Sequence, residues 1–94
     1  MLQNDLAWRI LTDPSIEQRD LELAERIANR ANDAAKAKDP AILDTLARAS
    51  FMRGKKEQAI EIESSALKLA EGDLRETLEK ALESYKKGEL PKVD

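Results

Sequence analysis

The strongest constraint on the fold of this chain is an internal repeat with an interval of about 35 residues. Ala24 and Ala31 recur 35 positions later as Ala59 and Ala66. Within each pair the alanines are seven residues apart, about two turns of an α-helix, so each pair lies on one helical face. A repeat of this length is typical of chains in which one helical hairpin stacks on the next.

Other residues repeat at similar intervals. Leu6 and Ala7 recur as Leu46 and Ala47, 40 positions later, so the first unit is five residues longer than the second and the surplus falls in residues 12–20. In a third register three residues recur 34 positions later, since Ala47, Phe51 and Gly54 return as Ala81, Tyr85 and Gly88. We therefore predict two repeats followed by a helix that covers the second one.

Local signals divide the chain into five helices. Asp39 followed by Pro40 predicts the start of the third helix, because aspartate caps the helix and proline needs no hydrogen-bond acceptor in the first turn. Gly54, Gly72 and Gly88 predict the ends of the third, fourth and fifth helices.

The remaining helix starts are less distinct. The second helix is expected to run to about Lys38, and its start is either a capping box of Ser15 with Gln18 or an N-cap at Asp20. For the fifth helix we predict a start at Asp73 with Glu76. Its apolar stripe is expected to pack inward and consists of Leu74, Leu78, Ala81, Leu82 and Tyr85.

Composition supports one all-α domain and excludes several functions. Ala, Leu, Glu, Lys and Arg dominate the 94 residues, and these are the best helix formers. A net charge of −3 disfavours nucleic acid and anionic membranes as partners. Cysteine and histidine are absent, which removes disulfides and the usual zinc ligands, so we expect no cofactor and no metal. The domain comprises repeat 1 (about 1–38), repeat 2 (about 39–71), a capping helix (about 73–88) and a tail (89–94), which we expect to be frayed from residue 92.

The second unit resembles the tetratricopeptide repeat, best over residues 40–70. The matching positions are Leu43 for the signature tryptophan, Leu46 and Ala47 for its leucine and small residue, Gly54 for the turn, and Ala59 and Ala66 for the packing alanines. Ser50 and Glu63 stand where aromatic residues are usual, and Glu71 replaces the closing proline. The resemblance implies a short right-handed solenoid of stacked antiparallel hairpins.

Five short motifs in order, NDLAW, TDP, RD, DP and LDTLARA, resemble the helical repeat region that follows thioredoxin-like domains in some bacterial thiol-disulfide proteins. This resemblance implies that the sequence is a piece of a longer protein whose redox motif lies outside it. The protein would then be periplasmic, whereas a cytoplasmic location is the default otherwise.

In tetratricopeptide domains the first helix of each pair lines a concave surface that binds partner peptides. The resemblance therefore implies a partner-binding face formed by Asn4, Trp8, Leu11, Asp44, Arg48, Phe51 and Met52. Trp8 is the best anchor, because aromatic residues dominate interface energetics. The alternatives are that Trp8, Phe51 and Met52 belong to the core and that Arg48 pairs with Asp44.

Catalysis is not expected from these residues. The pairs Glu61 with Glu63 and Glu22 with Glu25 are interpreted as solvated, with Glu63 reaching water between helices. We therefore predict a non-catalytic module that binds a protein, a peptide or a neighbouring domain of its own chain.

An alternative function is self-association. The first hairpin has no helix covering its outer face, so a homodimer could form through apolar residues of the first helix, namely Leu2, Leu6, Ile10 and Leu11.

Overall fold

Five α-helices make up most of the computed structural model, which describes the backbone of residues 2–93 and the side chains of residues 4–93. They are α1 (Leu2–Thr12), α2 (Leu21–Ala34), α3 (Pro40–Met52), α4 (Lys56–Leu69) and α5 (Gly72–Lys86). The described residues contain no strand, so the all-α fold class is confirmed.

Aspartate side chains fix the starts of α2 and α3. Asp20 accepts a hydrogen bond from the backbone N–H of Leu23 at 2.9 Å, so Asp20 and not Ser15 is the N-cap of α2. Asp39 accepts from the N–H of Ala41 at 3.0 Å, and Pro40 follows it as the first helical residue. The predicted start of α3 is confirmed.

Two predicted boundaries are wrong. The second helix ends at Ala34 rather than near Lys38, because Lys36 and Ala37 adopt left-handed backbone angles with φ of 54° and 56°. Gly72, predicted to end the fourth helix, is instead the first residue of the fifth, and the N-cap Glu71 makes no side-chain capping bond. Asp73 therefore lies inside the first turn of α5, where its negative charge interacts favourably with the helix dipole.

The turn between α3 and α4 is the one predicted at Gly54. Gly54 has a φ of 84°, and the N–H of Lys55 donates to the carbonyl of Ser50 at 2.9 Å. This hydrogen bond closes the end of α3 as a Schellman motif and sends α4 back along α3.

Each helix packs chiefly against the next one in sequence, and α1 also contacts α3. Alanines at the contacts let the helices approach closely. Ala24 on α2 is fully buried in a cluster with Leu11 and Ala49. Ala59 on α4 is fully buried in a cluster whose other buried members are Ala47, Ala81 and Tyr85.

The inward stripe of α5 is shorter than predicted. Leu78, Ala81, Leu82 and Tyr85 are buried, but Leu74 is exposed. Leu74 lies in the first turn of α5, at the end of the stripe, so the helices that bury the later residues do not cover it.

Candidate functional site

A groove of about 580 Å³ lies among α1, α3, α5 and the segment 89–93. Helical residues form most of its wall, namely Trp8, Asp44, Arg48, Thr77, Lys80, Ala81, Ser84 and Tyr85. The segment 89–93, called the tail below, forms the rest. The lining includes apolar, cationic and anionic side chains.

Three of the seven predicted binding residues line this groove. Trp8, Asp44 and Arg48 come together there from α1 and α3. The other four lie outside the groove lining. Leu11 is buried in the core with Ala24 and Ala49, Met52 packs on the same cluster, Phe51 stacks at 4.8 Å between ring centroids on Tyr85, and Asn4 is half-buried on α1.

Arg48 is the central polar residue of the groove. It is only 5% exposed, and its guanidinium lies 5.4 Å from the ring centroid of Trp8 in a cation–π contact. Its Nη1 donates a hydrogen bond to the carbonyl of Pro91 at 3.0 Å. Burial lowers the pKa of Arg48, and electrostatic interactions with Tyr85 and Asp44 oppose this shift. The predicted partner Asp44 thus acts through its charge, whereas the hydrogen bond goes to the tail.

The end of α5 directs the tail into the groove. Gly88 has a φ of 78°, and the N–H of Glu89 donates to the carbonyl of Ser84 at 2.8 Å. This Schellman motif turns the chain back, so that Pro91 reaches Arg48 on α3. Lys92 and Val93 line the groove, and both are exposed. Asp94 lies outside the described residues.

Beneath the groove two carboxyl groups meet. Glu63 on α4 is fully buried, contrary to the prediction that it reaches water between helices. Neither of its oxygens accepts a hydrogen bond from an N–H or O–H of the described residues. The Asp44 carboxyl lies beside it, and two carboxyl groups can form a hydrogen bond only when one of them holds a proton. Burial, with the hydrogen bond and charge of Asp44, raises the pKa of Glu63 to about 10.

The same burial acts on the neighbouring groups. Burial raises the pKa of Asp44, although its hydrogen bond with Glu63 and the charge of Arg48 oppose the shift. Burial, together with the charges of Glu63 and Asp44, also raises the pKa of Tyr85. At neutral pH Glu63 is therefore protonated, and the interpretation of this residue as solvated is wrong.

A second buried carboxylate is that of Glu25 on α2, so the interpretation of Glu25 as solvated is also wrong. Its Oε2 accepts from the hydroxyl of Ser50 at 3.3 Å, and its Oε1 pairs with Arg53 and, at 3.4 Å, with Lys55. Burial opposes ionisation, but Arg53 and Lys55 outweigh it and lower the pKa of Glu25. Ser50, which stands where an aromatic residue is usual, also accepts from Gln58 at 3.3 Å. The arrangement ties α2 to the α3–α4 turn.

Sequence reasoning missed the contributions of α5, Glu63 and the tail. The tail carried a usable signal, since the apolar residues Leu90 and Val93 follow the predicted cap Gly88. Apolar residues beyond a helix end commonly pack back on the domain. Glu63 also carried a signal, because it stands where the repeat usually has an aromatic residue, but a glutamate on a helix is more often solvated than buried.

The described part of the chain shows neither a metal-binding cluster nor a membrane-spanning helix. No cluster of three or more residues among its aspartates and glutamates is arranged to hold a metal ion. None of the helices in residues 2–93 combines the length and apolarity that a membrane span requires. Comparisons with protein-family models, with curated proteins and with solved structures gave no match for this chain.

Proposed function

We propose that this chain is a tetratricopeptide-like interaction module of about two repeats and a capping helix, and that the groove binds an extended peptide or a neighbouring domain. Under this proposal α1–α2 and α3–α4 are successive hairpins, and α5 caps the second. The thioredoxin-like domain implied by the second resemblance is one candidate neighbour.

The equivalent positions of two alanines support the stacked arrangement. Ala24 on α2 packs with Leu11 of α1 and Ala49 of α3. Ala59 on α4 packs with Ala47 of α3 and with residues of α5. Each alanine thus lies between the helix before it and the helix after it, as the 35-residue repeat predicts.

The observation that carries the binding function is the hydrogen bond from Arg48 to the carbonyl of Pro91. It shows that the groove accommodates irregular main chain, with Arg48 held in place by Trp8. Aromatic residues and arginines are the side chains that most often dominate binding energy. Preformed helices supply the other walls, so the module loses little conformational entropy when a peptide binds.

The test is selection of displayed random peptides on the full chain. A peptide selected in this way should shift the NMR resonances of Trp8, Asp44 and Arg48 on titration. Its affinity should fall at least about tenfold in Trp8→Ala, a loss typical of an interface hot spot. Arg26→Gln, on the exposed face of α2, is the matched control and should bind normally. Selected peptides that shift only α2 and α4 resonances would exclude the groove as the binding site.

We assign no catalytic role to the carboxyl pair. Glu63 is fully buried and cannot touch a substrate. Asp44 reaches the groove, whose lining carries three hydroxyls and two amines, those of Thr77, Ser84, Tyr85, Lys80 and Lys92. Proton transfer by the pair would require Glu63 to exchange its proton with a bound molecule.

Exposure of Leu6 favours homodimerisation as a second candidate function. Leu6 is 51% exposed on α1, and Ile10, one turn later, is partly exposed. Leu11 is in the core and does not belong to this face, and the side chain of Leu2 lies outside the described residues. Light scattering over a hundredfold concentration range tests it: a dimer that Leu6→Glu dissociates supports this function, and a monomer throughout excludes it.

A further inference from the structure

We propose that the tail is a resident ligand of the groove, and that the partner is an extended, proline-containing peptide with apolar side chains on both sides of the proline. The pattern is that of Leu90, Pro91 and Val93. This inference rests on the proposed function and specifies the class of partner.

The contact that holds the tail is one that a peptide from another molecule could make equally well. Arg48 donates to the main-chain carbonyl of Pro91, 43 positions away, and not to a side chain. Any extended peptide offers such a carbonyl. A partner can therefore replace the tail without any change in Arg48 or Trp8.

Proline suits this position for two reasons. Pro91 has no N–H, so no backbone donor is left without an acceptor beside the buried guanidinium. Its fixed φ also favours an extended chain, which reduces the entropy lost on binding. The apolar residues around it, Leu90 and Val93, lie against a groove that contains Trp8 and Ala81.

The tail is held weakly enough to be displaced. Leu90 is 42% exposed and Val93 is 46% exposed, so both apolar side chains are incompletely buried. The groove retains about 580 Å³ of space beside the tail. A partner that fills this space gains apolar contacts that the tail lacks. The tail competes with a partner because it is covalently joined to α5, which gives it an effective concentration at the groove on the order of millimolar.

The test compares the full chain with a full-length variant whose tail cannot bind, carrying Leu90→Ser, Pro91→Gly and Val93→Ser. The probe is the synthetic peptide Gly-Glu-Leu-Pro-Lys-Val-Asp, which has the sequence of residues 88–94. Trp8, the only tryptophan, reports binding through its emission. If the groove is open about a tenth of the time, the variant should bind the probe about tenfold more tightly than the unaltered chain.

Three controls define the result. Leu69→Ser changes an equally exposed apolar residue outside the groove and should leave probe affinity unchanged. Arg48→Gln, added to the tail variant, should abolish the gain. A scrambled probe with the proline moved to the end should bind at least about tenfold more weakly than the native order, because the contact beside Arg48 is lost. Circular dichroism establishes that each variant keeps its helices.

Equal probe affinity in the tail variant and the unaltered chain would overturn the inference. It would also be overturned if neither protein bound the probe. A third contrary result is a dimer in which the tail of each copy occupies the groove of the other, recognised because the tail variant is monomeric. The selection of displayed random peptides tests the groove independently of the tail. If selected peptides bind the groove but the tail peptide does not, the proposed function stands and only this inference fails.

Discussion

The carboxyl groups of Asp44 and Glu63 face each other between α3 and α4, and at neutral pH the pair retains a proton on Glu63. Asp44 reaches the groove, whereas Glu63 is fully buried behind it. Arg48 on α3 lowers the pKa of Asp44 through its charge, and the two carboxyl groups in turn raise the pKa of Tyr85 on α5. The relationship couples the stability of the fold to pH.

Glu63 makes the protein less stable as pH rises. Its pKa in the fold is about 10 against 4.5 for a free glutamate, so the folded state binds the extra proton between these values. The stabilising contribution of this proton is fully present below pH 4.5 and is lost as pH rises towards 10. Over this range the free energy of unfolding falls by up to about 1.4 kcal/mol per pH unit. We expect Glu63→Gln, which resembles the protonated side chain, to raise the free energy of unfolding at pH 7 by about 1 to 3 kcal/mol.

The measurement is urea unfolding of both proteins at several pH values. The difference in free energy should widen from pH 5 to pH 9. Glu61→Gln, an exposed glutamate on the same helix, is the control and should change stability by less than about 0.5 kcal/mol. A Glu63→Gln protein that is destabilised equally at all pH values would contradict the protonated state of Glu63.

Glu25 has the opposite dependence on pH. Because the pKa of Glu25 is lowered in the fold, its stabilising contribution is present at neutral pH and is lost as pH falls through that lowered pKa. Glu25→Ala removes the acceptor for Ser50, Arg53 and Lys55 and should cost about 1 to 3 kcal/mol at pH 7. Glu22→Ala, exposed on the same helix, should cost far less in the same thermal unfolding series. Similar losses in both variants would mean that the buried ion pairs contribute nothing.

The close approach of the helices at the repeated alanines predicts that larger side chains are not tolerated there. Ala24→Leu and Ala59→Leu each insert three carbon atoms at fully buried positions, and each should cost about 1 to 3 kcal/mol. Ala41→Leu, exposed on α3, is the control and should be nearly neutral. Denaturant midpoints measure all three, and a neutral Ala59→Leu would show that α3, α4 and α5 pack more loosely than the structure indicates.

The left-handed turn after α2 predicts a stabilising glycine. Ala37 has a φ of 56°, which an L-residue adopts at a cost of about 1 to 2 kcal/mol. Glycine avoids this cost, but part of the gain is lost because glycine gives up more conformational freedom on folding. Ala37→Gly should therefore raise stability by about 0.5 to 1 kcal/mol. Ala34→Gly, in the last turn of α2, should lower it instead. Melting temperatures that move in the same direction for both would refute the backbone argument.

Local chemistry in the sequence was sufficient to predict five helices, the start at Asp39 and the turn at Gly54, because capping and glycine turns depend on neighbouring residues. The repeat also predicted which alanines are buried, since small residues at helical spacing mark close contacts. Three of the residues predicted from the resemblance, Trp8, Asp44 and Arg48, line the groove.

Tertiary structure decided the rest. Glu63 lies beside Asp44, 19 positions earlier in the chain, and not in water. Arg48 donates its hydrogen bond to Pro91, 43 positions later, and not to Asp44. The free energy of a buried charge is set by everything packed around it, and helical spacing carries no information about which distant side chains those are.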